Sequence, residues 1–456
     1  MSNHTDCDFT KIHSIHFAGI GGVSMSALAE IMLHRGYTVT GSDINDSETV
    51  AHLRERGAKV AIGHRAENVA GADLFVYTAA IKKENPEYVY AEEHGIPIME
   101  RAVFLGAIMR DYACPIGVAG THGKTTTTSM LSQILLGAGL DPTVLVGGTL
   151  PLIGGNYHIG SHELMVFEAC EYVDSFLNFC PKVAIVLNVE ADHLDYFKDL
   201  EAIKTSFAKF ESLCGPDGTV IVNADDPNAL ETTKGYCGRV ITFSTTDPSC
   251  DYYAHYDGLK RGFPEFHVTE HGEPLGEVIL SVPGRHNVLN ALASIAAARL
   301  LKLDFSVIRQ QLEKFTGANR RFQLIGKRNE IVVVDDYAHH PSEIRATLLA
   351  AKNLHFNRII CVFQPHTYSR TRALFDDFAA ALRIPDVTFL CDIYAAREKN
   401  TYNISSQDLA RDIPGAVYCG DFETAAANLR RIACPGDLIL TMGAGDVYRV
   451  GHLFLD

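Results

Sequence analysis

The sequence predicts an α/β protein of three domains with mostly parallel sheets, and three observations carry that expectation. Short β-branched runs alternate with stretches of helical apolar spacing along most of the chain. Two glycine-bearing loops each follow such a run and lead into a helical pattern. In the last third, polar clusters stand at the ends of successive apolar runs, the edge at which parallel sheets meet their ligands.

With 456 residues the chain is too long for one core, and its segments read as 1–108, 109–320 and 321–456. A formal net charge of -15 leaves no basic excess for a general nucleic-acid binder. The 11 cysteines are scattered without paired ligand spacing, so they read as reduced thiols. The stretch Met1–Thr10 is polar, with Asp6 and Asp8, and is unlike a signal peptide. No apolar run approaches membrane length, which gives a cytoplasmic expectation without membrane insertion.

In the first segment a strand over Ile12–Ala18 precedes Gly19, Gly21, Gly22 and Ser24. Met25, Leu28, Ala29, Ile31 and Met32 then recur at helical spacing up to Gly36. A second strand, Tyr37–Thr40, leads to Ser42 and Asp43, an acid placed where a ribose is held in a Rossmann-like unit. Ser24 stands where the third glycine of that fingerprint belongs, so a dinucleotide and a nucleotide-sugar diphosphate are both open. Further strands are expected at Ala58–Ile62, Leu74–Tyr77 and Ile96–Ile98, with Thr78 at a strand end.

The second segment holds the strongest local signal. The run Ile116–Ala119 ends in Gly120, Thr121, His122, Gly123, Lys124, Thr125 and Thr126, and an apolar helix face follows from Met130 to Leu136. This is the layout of a phosphate loop: backbone N–H groups turn inward, a helix start adds positive charge, a lysine reaches outer phosphates and a hydroxyl meets Mg2+. Val118 replaces the usual first glycine. Leu164–Phe167 runs into Glu168, with Glu171 after it, and Val183–Leu187 runs into Asn188, Glu190, Asp192, His193 and Asp195. Carboxylates and a histidine on that edge suit a hard cation. Residues 240–282 read as antiparallel hairpins, and His286 and Asn287 open a helix, where they either touch a base or cap it.

In the third segment, strands at Ile331–Val334, Ile359–Phe363, Val387–Cys391 and Leu438–Thr441 end in polar clusters. Those clusters contain His339 and His340 before Pro341, and His366, Arg370 and Arg372 after Gln364. A ligand-binding edge is the better reading of them.

The ordered set of Gly19–Ser26, Gly120–Thr126, Glu168–Glu171, Asn188–His193, Gly284–Asn287, Asp335–Pro341 and Gln364–His366 with its arginines resembles the Mur ligase family over nearly the whole chain. Glu168-Ala169-Cys170-Glu171 departs from the Glu-Ala-Asp-Glu form common in some members. The resemblance implies a UDP-substrate Rossmann-like domain, a central P-loop ATPase-like domain, and a Rossmann-like C-terminal domain that helps bind an amino acid. It implies ATP and Mg2+ as cofactors, and peptidoglycan synthesis by ligation of L-alanine to the lactyl carboxylate of UDP-N-acetylmuramate through an acyl phosphate. The enzyme would be a monomer or weak homodimer. Lys124 would meet the β/γ-phosphates, and Thr125, Glu168 and His193 the metal. His286 and Asn287 would contact adenosine, and Arg320 the phosphates. Gly19, Gly21, Gly22, Ser42, Asp43 and Thr78 would hold the UDP-sugar, with His339, His340, His366, Arg370 and Arg372 on the acceptor side. A ligase that joins a recycled murein peptide, an NAD-dependent oxidoreductase and a non-catalytic ATP-dependent switch are the competing readings.

Overall fold

The computed structural model describes residues 9–193 and 196–456. Asp6, Asp8 and Asp195 lie outside the described residues. Two compact units divide the chain, residues 1–242 and 243–456.

In the first unit, β1 (Ser14–Ala18), β2 (Thr38–Asp43), β3 (Lys59–Ile62), β4 (Leu74–Tyr77) and β5 (Ile98–Glu100) form a sheet of order β3-β2-β1-β4-β5. Every pairing in it is parallel. Strand β2 runs on through Ser42 and Asp43, past the expected end at Thr40, because Ser42 pairs with both Ala18 and Ala61. Helix α1 (Val23–His34) follows the first glycine loop and buries Met25, Leu28, Ile31 and Met32 in the core with Phe17. Burying that apolar stripe, rather than propensity, is what stabilises a helix of this length.

The same unit holds a second group of strands around β6 (Cys114–Ala119). These are β7 (Pro142–Leu150), β8 (Gly155–His158), β9 (Ser161–Glu168), β10 (Val183–Val186) and β11 (Thr219–Asn223), in the order β11-β10-β6-β9-β7-β8. All pair in parallel except β8 with β7. Val118, Phe167 and Ile185 are fully buried, as a sheet covered on both faces requires. The C-terminal ends of β6, β9 and β10 therefore share one edge, and helix α2 (Lys124–Gly137) starts there.

Strand β12 (Arg239–Ser244) crosses the unit boundary, and in the second unit its Phe243 and Ser244 pair in parallel with β13 (Tyr252–Lys260). Strands β13, β14 (Phe263–Glu270) and β15 (Glu273–Ile279) form the antiparallel hairpins expected there. Helix α3 (His286–Leu300) follows. The last sheet comprises β16 (Gln323–Arg328), β17 (Ile331–Asp336), β18 (Ile359–Phe363), β19 (Val387–Cys391), β20 (Val417–Gly420) and β21 (Leu438–Met442), in the order β16-β17-β21-β18-β19-β20. It has six strands where four were expected. The two extra ones are edges, β16 antiparallel and β20 half exposed, and neither carries the apolar run that marks a central strand. Among the described residues no helix is long and apolar enough to cross a membrane, and every cysteine is a free thiol.

Candidate active site

The loop between β6 and α2 is stitched to the exit of β10. Thr121 N donates to Asn188 O at 3.0 Å and His122 N to Asn188 Oδ1 at 2.8 Å, while Asn188 Nδ2 donates back to His122 O at 3.1 Å. Glu190 N donates to Thr121 Oγ1 at 2.9 Å, and the Glu190 carboxylate stands 3.4 Å from His122 Nε2. Gly120 sits at φ 145°, and a Cβ there would lie 3.0 Å from that of Leu187, so only glycine suits the turn. Thr125 and Thr126 continue into the first turn of α2, with Thr125 buried. The Asn188 bonds tie the loop to the exit of β10 at the N-terminus of a 14-residue helix, a place that favours phosphate. Gly123 takes the left-handed conformation as the N-cap, at φ 86°, where a side chain would be strained.

Lys124 Nζ donates to Gly120 O at 2.6 Å and Thr121 O at 3.2 Å, and pairs with Glu171 at 2.9 Å. Burial works against its charge, but Glu171, with Cys170 and Glu168, outweighs burial and holds the lysine above its ordinary pKa. Lys124 is therefore an ammonium throughout the physiological range. Glu168, the last residue of β9, accepts from Gly147 N at 2.6 Å. His193 takes φ 53°, its ring 4.6 Å from that of Tyr172 and its Nε2 3.8 Å from Asp192 Oδ2. A hydroxyl at Thr125 and a carboxylate at Glu168 are the hard oxygen donors that Mg2+ prefers, so the donor set fits that ion.

The first glycine loop behaves differently from an NAD site in one respect. Gly21 N donates to Asp43 Oδ2 at 2.9 Å and Asn45 N to Asp43 Oδ1 at 3.1 Å, so the carboxylate expected at a ribose instead braces the loop. Ser42 is fully buried, its hydroxyl donating to Glu87 Oε2 at 2.6 Å beside His64. Burial opposes the Glu87 charge, yet hydrogen bonds with His16, Ser42, Asn68 and His64 keep its pKa at about 2. Ser42 thus supports the strand end from below. Gly19 and Gly22 flank the turn, and the Thr78 methyl reaches to 2.9 Å from where a Gly19 Cβ would stand.

In the second unit the exits of β17 and β18 converge. The His339 ring lies edge-on to that of His366 at 5.8 Å, and His366 stacks on Tyr394 at 5.5 Å. Arg370 Nη1 donates to His366 Nδ1 at 3.3 Å. Of the adjacent histidines, His339 joins this group, whereas His340 is the N-cap of α4 (Pro341–Lys352), its Nδ1 2.8 Å from Ser342 Oγ. Arg370 and Arg372 lie on α5 (Tyr368–Ala373), where residues two apart point about 200° from each other. Arg372 accordingly is exposed. Burial pushes the His339 pKa down to about 4, with Arg370 and His366 adding to it and Glu343 opposing.

The remaining expected residues are engaged locally. Arg320 Nε pairs with Asp335 at 2.9 Å, its Nη2 donates to Gly443 O at 2.7 Å, and Tyr337 and Tyr448 each lie 4.9 Å from its guanidinium carbon. Asn287 Nδ2 donates to Pro283 O at 2.7 Å and its Oδ1 accepts from the Asn290 side-chain amide at 2.9 Å, while the N-cap position of α3 is Arg285 and carries no side-chain capping bond. His286 is exposed at the first position of α3.

Sequence reasoning gave no role to Glu398, whose carboxylate accepts from Tyr368 N at 2.8 Å and Ser369 N at 3.0 Å. It anchors the helix that carries Arg370 from a loop beyond β19, and no local pattern signals that. Asn188 was visible as the first polar residue after an apolar run and as the start of the Asn188–His193 motif, with no role given to its side chain.

Three family descriptions match consecutive parts of the chain: "Mur ligase family, catalytic domain" at residues 14–113, "Mur ligase middle domain" at 118–298 and "Mur ligase, glutamate ligase domain" at 320–445. A UDP-N-acetylmuramate–L-alanine ligase of Acetivibrio thermocellus is 51% identical over 98% of this chain and 97% of its own length. One of the same name from Caldanaerobacter subterraneus is 49% identical, covering 99% of both. Among solved structures, a UDP-N-acetylmuramate–alanine ligase of Thermotoga maritima matches with a TM-score of 0.80 at 31% identity, over 97% of this chain and 98% of that one. A murein peptide ligase of Psychrobacter arcticus matches at 0.72 and 28%, with the same coverage of each chain.

Proposed function

The chain belongs to the Mur ligase family, and from that membership we propose that it joins L-alanine to the lactyl carboxylate of UDP-N-acetylmuramate, giving UDP-N-acetylmuramoyl-L-alanine, ADP and phosphate. The observation that carries the reading is the near-full-length relationship to ligases of that name at about half identity. Neither the recycling ligase nor the oxidoreductase is favoured, and Asp43, tied to the glycine loop, weakens the latter further.

A carboxylate is a poor electrophile, so one of its oxygens first attacks the γ-phosphorus of ATP, releasing ADP and forming an acyl phosphate. The alanine amine then attacks the acyl carbon, and phosphate leaves with the former carboxylate oxygen. Catalysis of this kind needs positioning and charge stabilisation more than a protein nucleophile. We assign residues 1–108 to the UDP-sugar, 109–320 to ATP and 321–456 to the amino acid. Lys124 and the N–H groups of Gly120–Thr126 neutralise the transferring phosphoryl group. Thr125, Glu168 and His193 would hold Mg2+, which supplies Lewis-acid neutralisation of phosphate charge. Gly21 and Gly22 admit the UDP diphosphate at the start of α1. Arg370, with His366 and His339, receives the alanine carboxylate. The protein works in the cytoplasm as a monomer or weak homodimer.

Mass spectrometry of the product tests the reading. UDP-N-acetylmuramate, ATP and alanine should give the alanyl adduct, and a murein tripeptide in place of alanine should give none. Efficient tripeptide transfer would instead mark the recycling enzyme.

A further inference from the structure

Lys124 has a partner whose place in the reaction neither the fold nor the assignment above explains. An ammonium has three hydrogens, and the acceptors around Nζ are Gly120 O at 2.6 Å, Thr121 O at 3.2 Å and the Glu171 carboxylate, at 2.9 Å to Oε2 and 3.2 Å to Oε1. A phosphate oxygen that reaches Nζ must displace one of them. The two carbonyls belong to the loop, which Asn188 and Leu187 hold in place. Glu171 comes from a separate segment, three residues beyond the end of β9. It precedes a short helical turn, Tyr172–Asn178, as its N-cap, yet its side chain makes no capping bond. The carboxylate is turned to Lys124 instead and is only 2% exposed.

We propose that Glu171 is a positioning residue for Lys124: a built-in counter-anion that holds the ammonium at the mouth of the loop and yields it to the outer phosphates of the nucleotide. The inference rests on the phosphate-loop reading and deepens it. Removing one partner of a buried ion pair is strongly unfavourable, whereas exchanging one anion for another leaves the lysine compensated throughout. The exchange also has a cost for the ligand, since phosphate gains Lys124 only by displacing a carboxylate already in place. Glu171 therefore weakens nucleotide binding and favours release of ADP. Its action is confined to phosphates that extend to Lys124, so a nucleoside monophosphate should not feel it.

Calorimetric titration of the full-length enzyme with ADP and with AMP tests this. Glu171→Gln keeps the shape and removes the charge. It should lower the ADP Kd about tenfold, the size of one charge-assisted hydrogen bond, with AMP affinity unchanged. A structural role alone would loosen both nucleotides. Unchanged or weaker ADP binding, or an equal gain for AMP, overturns the proposal. Should Glu171→Gln fail to fold, Glu171→Asp retains the charge at a shorter reach and should still lower the ADP Kd by a few-fold, and an unchanged or raised Kd there is equally fatal. Wild-type enzyme that binds no ADP would bring down the phosphate-loop reading itself, and the proposal with it.

Discussion

Arg370 Nη1 donates a hydrogen bond to His366 Nδ1 at 3.3 Å, while Arg372, two positions further along the same helix, points away into solvent. The two arginines were equivalent as a sequence motif and are distinguished by helical geometry. Only Arg370 stands with His339, His366 and Tyr394. A guanidinium binds a carboxylate through two parallel N–H bonds, which a lysine reproduces poorly. Arg370→Lys should therefore raise the alanine KM about tenfold, the loss of one charge-assisted bond, and Arg372→Lys should leave it within about twofold. Steady-state kinetics on both variants decide the matter, and the reverse ranking would move the acceptor site off this cluster.

Lys124→Ala removes the ammonium from the phosphate loop. Turnover at saturating substrates should fall at least about 100-fold, as when one positioned stabilising group is lost from a transition state. UDP-N-acetylmuramate affinity, measured by calorimetry, should stay near wild type. Near-normal turnover would take Lys124 out of the chemistry.

Gly21→Val tests the first loop. A Cβ at Gly21 would lie 2.9 Å from Asp43 Oδ2 and 3.1 Å from Val50 Cγ2, where a branched side chain has no room. UDP-N-acetylmuramate affinity should fall roughly 10- to 100-fold, from overpacking worth about 1–3 kcal/mol, and ATP affinity should hold. Equal losses of both in a natively folded variant would argue against separate sites.

Much of this architecture was legible in the sequence because parallel strands buried on both faces read as unbroken apolar runs. Val183–Val186, Ile359–Phe363 and Leu438–Met442 are such strands. Edge strands β8, β16 and β20 carry no such run and went unseen. The candidate phosphate loop was visible since its glycines and lysine are contiguous. The supports of the candidate site were not, because they are set by long-range pairing: Glu171 reaches Lys124 across 47 positions and Glu398 reaches Ser369 across 29. Arg320 shows the converse case. It drew notice by family position, yet the groups around its guanidinium are gathered by the sheet, Asp335 and Tyr337 from the exit of β17 and Tyr448 from beyond β21.

His339 gives a pH prediction with a definite sign. Its pKa in the folded protein, about 4, lies below the ordinary 6.5, chiefly through burial. The folded state thus prefers the neutral ring. The stability this preference provides is fully present above pH 6.5 and is lost as pH falls toward 4. The side chain is 21% exposed, so an effect on the order of 2 kcal/mol is expected. Urea denaturation at pH 7 and pH 4.5 should show a smaller acid loss in His339→Gln than in wild type. Parallel pH profiles would mean that His339 titrates normally in the folded enzyme.

The central claim, that the lactyl carboxylate is activated by ATP before alanine attacks, is tested most directly by oxygen transfer. UDP-N-acetylmuramate labelled with 18O in that carboxylate should deliver one labelled oxygen into each phosphate released during alanine-dependent turnover. Released phosphate without label, at a normal rate of alanine ligation, would contradict the acyl phosphate and the account built on it.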